Sequence, residues 1–90
     1  MALATLLSGV SATGASQSVR TDGLTPAHVQ VSGITIGTVA VQGSVDGSTW
    51  ATVATALTAD GIITLSDPPP YVRANVTAFT SGTITVKISY

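Results

Sequence analysis

The chain has no cysteine and no glutamate, and charged residues fill only 8% of its 90 positions. Without cysteine there is no disulfide scaffold and no thiolate metal site. An ordinary soluble domain carries roughly 25% charged residues. Here the cations are Arg20, Arg73 and Lys87, and the acids are Asp22, Asp46, Asp60 and Asp67, for a net charge of −1. Three scattered cations do not make the basic patch that a phosphate backbone requires, which argues against a nucleic-acid partner. A soluble monomer normally keeps a charged surface that opposes association. The neutral Thr, Ser, Ala and Gly surface therefore predicts that part of it is covered in the working state. A Thr/Ser-rich β surface that is simply soluble is the alternative.

Long apolar runs are missing as well. No segment approaches the roughly 18 apolar residues of a membrane span. Met1 to Val10 (MALATLLSGV) has no Lys or Arg, and Thr5 and Ser8 interrupt its apolar residues. A signal peptide needs a basic start and an unbroken apolar stretch, so none is expected here, and no membrane partner. Residues 1–14 read instead as a first strand, at about Ala4 to Gly9, or as an extended N-terminal arm. Residues 15–90 read as a single β domain, as the length allows. Leu3, Leu6 and Leu7 in the first segment are candidate interface residues, together with His28 and Arg73.

What the sequence does contain is alternation. Val39, Val41, Gly43 and Val45 lead into Asp46-Gly47, and Trp50, the only tryptophan, opens the return. Asp-Gly between apolar alternations is a strong hairpin signal. Trp50 falls on one side of the return segment and Ala51 and Val53 on the other, the predicted core side. Ala27, Val29 and Val31 alternate with His28, Gln30 and Ser32. After Gly33 the parity flips to Ile34 and Ile36, which calls for a loop or bulge over residues 33–37. Gln17 to Thr21 and Ile62 to Leu65 are short strand candidates, and Asp22-Gly23 and Asp60-Gly61 are turns. Pro68-Pro69-Pro70 is a stiff extended connector. Tyr71 to Phe79 and Thr83 to Tyr90 alternate cleanly on either side of Thr80-Ser81-Gly82, read as a turn. No window carries a helical apolar stripe. The sum is an all-β protein, an antiparallel β-sandwich of seven to eight short strands with jelly-roll or Greek-key (Ig-like) topology. Asp46, Gly47, Trp50 and Gly82 are its expected turn and core markers, with Trp50 read as a packing anchor.

Reaction chemistry finds little purchase. His28 is the only imidazole, mid-strand, with no carboxylate at a spacing that would orient it. All four aspartates stand in turn contexts, where their side chains bond nearby backbone N–H groups. Asp46, Asp60 and Asp67 on clustered loops are the one conceivable calcium set, but the chain has no calcium-loop pattern. Zinc has no ligand set. Asn75-Val76-Thr77 matches a glycosylation sequon but falls inside a predicted strand. No catalytic residue, metal site or cofactor is expected, and the chain does not read as an enzyme. Trp50 with Tyr71 leaves open a small carbohydrate-binding module that stacks sugars.

Two stretches carry a family resemblance. VQGSVDGSTWATV (Val41 to Val53) and YVRANVTAFTSGTITVKI (Tyr71 to Ile88) together resemble small β-sandwich virion proteins of tailed bacteriophages, of the capsid decoration (cement) type and related tail or adaptor parts. The resemblance covers the C-terminal half. It implies a structural protein, made in the bacterial host cytoplasm and sited on the virion. Its partners would be the major capsid protein and itself, as a homo-oligomer, with a trimer the expectation by analogy. A tail, neck or fibre-base position in the virion is the alternative.

Overall fold

The computed structural model describes residues 3–21, 26–66 and 68–90. The expected turn at Asp22-Gly23 and the residue Asp67 lie outside the described residues. The fold is all-β, with seven strands among the described residues: β1 (Leu3–Val10), β2 (Gly14–Ala15), β3 (Val19–Arg20), β4 (Ala27–Ser44), β5 (Ala51–Thr52), β6 (Gly61–Leu65) and β7 (Tyr71–Ser89). All belong to one antiparallel sheet centred on the β4–β7 pair. The sequence predicts two separate sheets of short strands. The structure instead has two very long strands, each formed where the sequence reads two.

A straight strand of 18 residues such as β4 would span about 60 Å, yet the molecule's longest extent is 35 Å. Both long strands must therefore bend. The bend sits at Ser32 to Val39 on β4 and Val76 to Thr85 on β7, where the pairing slips register repeatedly. Gly33 and Gly82 meet there with φ of 83° and 123°. A Cβ on Gly33 would overlap the Thr83 carbonyl oxygen, and one on Gly82 would strike the Gly33 oxygen and the Thr35 nitrogen. Only glycine permits this approach at these angles. The bulge reading at residues 33–37 is thus the right one. Gly82, in contrast, bends a continuing strand and does not turn the chain back. A two-residue loop is unnecessary because β4 bends alongside it.

The bend divides the sheet into two halves. One half runs β1–β7–β4–β6, with β4 pairing from Ala27↔Leu65 to Val31↔Gly61 on one side and His28↔Ser89 to Ser32↔Thr85 on the other. In the other half β7 pairs with β2 and β3, and β4 with β5. The same face of each long strand is buried in both halves: Val29, Val31, Val39 and Val41 on β4, and Val72, Val76, Ile84, Val86 and Ile88 on β7. These side chains form one hydrophobic cluster. The bend is therefore concave on the apolar side, and the bent sheet closes over its own core. Alternation with period 2 produces this face directly.

Three placements depart from the sequence reading. Leu6 is a core residue, 6% exposed. A register slip between Thr5 and Leu7 brings Leu6 and Leu7 both toward the apolar side, against strict alternation. Leu3 stays outside, 73% exposed, and keeps its candidacy for an interface. Ala51 and Val53 are exposed and do not reach the core, although Ala51 pairs with Gly43 and the Val53 N–H donates to the Val41 carbonyl at 3.0 Å. Beyond β5 the chain regains β4 through the bridge Val39↔Leu57. The proline connector is held by Thr21, whose N–H donates to the Pro70 carbonyl at 2.7 Å and whose hydroxyl donates to the Pro69 carbonyl at 2.6 Å. Proline lacks a donor but keeps a full acceptor. The Pro69 ring covers Gly43, where a Cβ would collide with it.

Candidate functional site

The outer surface of the β2/β3-side half gathers most of what is chemically distinctive in the chain. Gln42 and Arg73 are directly paired across β4 and β7, on the side opposite Val41, Val72 and Ala74. The Arg73 Nε–H donates to Gln42 Oε1 at 2.8 Å. The guanidinium lies over the Trp50 ring, 4.4 Å from its centroid. Two residues earlier on the same side of β7, Tyr71 carries the Arg20 guanidinium at 5.8 Å. Arg20 reaches it because β3 pairs Arg20 with Tyr71. Two of the chain's three cations and its tryptophan thus share one outer sheet surface with Tyr71. Cation–π contacts of this kind contribute about 0.5–1 kcal/mol when exposed.

Trp50 packs here and is not in the core cluster. The sequence places it correctly opposite Ala51 and Val53, but its anchor is the Arg73 guanidinium on the outer surface. Arg73 is half-buried under the same contact.

The Asp46-Gly47 turn borders this surface. Asp46 Oδ1 accepts from the Ser44 hydroxyl at 2.8 Å and from the N–H groups of Ser48 (2.8 Å) and Thr49 (3.0 Å). Ser44 Oγ in turn accepts from the N–H groups of Asp46 and Gly47. Gly47 has φ of 78°, and the Tyr71 ring lies 3.8 Å from where its Cβ would be. The turn is therefore built by side-chain acceptors satisfying backbone donors, the role in which Asp and Ser are favoured. The Thr49 and Ser48 N–H groups and the Ser44 hydroxyl hold the Asp46 carboxyl down at about 2. A folded value below the unfolded one stabilises above about pH 4, and that contribution is lost as pH falls through the folded value. Asp46→Asn keeps an acceptor but removes the charge. Thermal melts at pH 7, 4 and 2.5 are expected to show a gap between wild type and variant that narrows toward pH 2.5. A gap independent of pH would mean the carboxylate charge does nothing for the turn.

The other candidates lie apart. His28 is half-buried on the outer side of the other half, its Nδ1 3.2 Å from the Thr64 hydroxyl. Asp60 Oδ1 accepts from the Ile34 N–H at 2.9 Å, which ties the β6 approach to the bend. Asp46 and Asp60 thus each serve a backbone donor, and no group of three potential metal ligands exists among the described residues. Asn75 faces outward beside the buried Val76, paired with both Ala15 and Ala40 inside the sheet. A concave groove of about 390 Å³ lies along Leu7 to Ala15 and has no charged lining residue.

Sequence reasoning named Arg73 singly, and Trp50 with Tyr71 as a sugar-stacking pair, but missed Arg20 and Gln42 as their partners. Alternation puts Tyr71 and Arg73 on one side of a strand, but only the β3–β7–β4 strand order brings Arg20 and Gln42 beside them. No protein-family profile, curated protein or solved structure matches this chain.

Proposed function

We propose that the chain is a structural virion protein of a tailed bacteriophage, a decoration protein that binds the outside of the capsid and bridges major capsid subunits. The observation that carries the proposal is the Arg20–Tyr71 and Arg73–Trp50 surface on a chain with 8% charged residues. Trp, Tyr and Arg are the residues in which binding energy concentrates at protein interfaces. The rest of the exterior offers little charge to repel a partner, and Leu3, Ile36, Val45 and Ile62 expose apolar side chains. The resemblance of Val41 to Val53 and Tyr71 to Ile88 to virion proteins supports the same reading. One face of each aromatic ring is occupied by a guanidinium, which favours a protein partner over a stacked sugar.

The test is co-sedimentation of the purified chain with mature, expanded shells that lack it. Wild type is expected to bind. Arg73→Ala is expected to weaken binding about 30-fold, the size of a hot-spot truncation of about 2 kcal/mol. His28→Ala, on the other half of the sheet, is expected to leave it unchanged. Failure of wild type to bind, with absence of the chain from capsids by mass spectrometry, sinks the proposal. Copy number separates capsid from tail: hundreds per particle for a shell protein, about 3–12 for a closed ring at the tail, neck or fibre base.

A further inference from the structure

The two halves of the sheet treat their edges differently. In the half that carries Trp50, the edge strands are fragments of two residues each: β2, β3 and β5. Very short edges are one of the ways proteins stop a sheet from growing. In the other half the edges are β1 and β6. β1 breaks register twice within Leu3–Val10, and such bulges protect an edge. β6 has none of these defences. It is five residues long, holds unbroken register against β4, and its sequence Gly-Ile-Ile-Thr-Leu has neither charge nor proline. Among the described residues β6 pairs with β4 alone. Its outward row of backbone donors and acceptors is thus unpaired by any described strand. Ile62 is 64% exposed, and Ile63, although directed toward the core side, is only half-buried.

We infer that β6 is a self-association edge, and that its occupant is β6 of a second copy, paired antiparallel about a two-fold axis. The segment is self-complementary in that arrangement. With Ile63 opposite Ile63 of the other copy, Ile62 faces Thr64 on the outer surface, and Gly61 faces Leu65 on the core side. Every such pair is uncharged. Apolar and β-branched pairs directly opposite each other are the stabilising unit of a sheet. The product joins one half of each chain into a run of eight strands, in the order β1–β7–β4–β6 and then its mirror sequence. A two-fold contact uses the same patch on both partners, which a single exposed edge supplies. An acidic or basic edge would repel its own copy, and this one carries nothing that does. The inference is independent of shell binding and differs from the trimer that the virion resemblance implies.

The experiment is the mass of the full chain in solution by light scattering across a concentration series, with hydrogen exchange on the same samples. Wild type is expected at twice its 8.9 kDa chain mass, with the outward-pointing amides of Gly61 to Leu65 protected at high concentration and released on dilution, while those bonded to β4 stay protected. Ile62→Lys places a charge on the edge, a natural block to strand addition. It is expected to raise the dissociation constant by about tenfold or more, the effect of losing about 1.4 kcal/mol. Val45→Lys, on the hairpin turn of the other half, is the control and is expected to dimerise as wild type. A monomer at about 100-fold dilution range throughout, a trimer, or a dimer whose β6 amides exchange at the same rate at every concentration each overturns the inference. The wild-type exchange data decide the matter even if the lysine variant fails to fold.

Discussion

Gly33→Ala is expected to destabilise the protein by about 2–5 kcal/mol. That sum combines about 1–2 kcal/mol for an L-residue in left-handed conformation with about 1–3 kcal/mol for forced repacking. Gly33 has φ of 83°, and its new Cβ would overlap the Thr83 carbonyl oxygen. The obstruction is backbone, so no side-chain rotation relieves it. Relief requires β4 and β7 to separate at the bend, and the bend is what closes the sheet over its core. A 90-residue domain has about 5–13 kcal/mol of stability in total. The variant is therefore expected near the threshold of folding, with a midpoint in urea well below that of wild type. Gly61→Ala is the matched control. Gly61 lies outside the positive-φ set, and its Cβ would make ordinary contact with Leu57 at 3.7 Å. Its effect is expected within about 1 kcal/mol of zero. Equal midpoints for the two variants would show that the Gly33–Gly82 crossing is not a constraint on the fold.

Ile84→Ala is expected to cost about 3 kcal/mol, within the range of about 2–5 kcal/mol for truncating a buried isoleucine. Ile84 is fully buried and lies within the bend, with its Cδ1 over Gly37. It pairs with Val10 of β1 and belongs to the cluster shared by both halves. The cavity would open where the two halves of the sheet meet, and the surrounding strands are fixed by their hydrogen bonds, so collapse into it is limited. For a domain of this size 3 kcal/mol corresponds to a fall of about 12–24 °C in Tm. Leu3→Ala, at a side chain 73% exposed, is expected to change Tm by no more than about 4 °C, the equivalent of 0.5 kcal/mol. Thermal denaturation followed by circular dichroism reads both. A fall for Ile84→Ala no larger than that of Leu3→Ala would mean that the two halves do not share a core.

These two variants also separate the contributions of pattern and of bend. The alternation in Val72 to Val76 and in Ile84 to Ile88 was readable from the chain, and the buried face follows it residue for residue. The join between the two runs was not. Thr80-Ser81-Gly82 has the composition of a turn, and a turn residue and a bend residue are chosen by the same property, tolerance of positive φ. Which one forms depends on whether another strand lies alongside to keep the ladder going. Here β4 does, through Ile34↔Gly82 and Ile36↔Ser81.

The candidate site divides in the same way. Asp46 and Gly47 were legible because a turn is local: Ser44, Asp46, Ser48 and Thr49 satisfy one another within six residues. The Arg73–Trp50 contact was not, because it joins a residue of β7 to one that precedes β5, far apart in the chain. A lone tryptophan in a small β domain has two ways to bury its ring, inside the core or beneath a long side chain on the outer surface. The core cluster is built from valine, isoleucine, leucine and alanine, and Trp50 is not part of it. The Arg73 stem and guanidinium supply the second.

The sequence by itself determined the β class, the apolar face of the two long strands and the Asp46 turn. These depend on period, local propensity and hydrogen bonds between near neighbours. Only the tertiary structure decided that four strand-like runs become two long bent strands, that Leu6 enters the core, that Trp50 packs outside it against Arg73, and that β6 is left with an undefended edge. Each of these depends on which strand lies beside which. That is settled by closing the whole sheet over one core, a condition no single stretch of the chain contains.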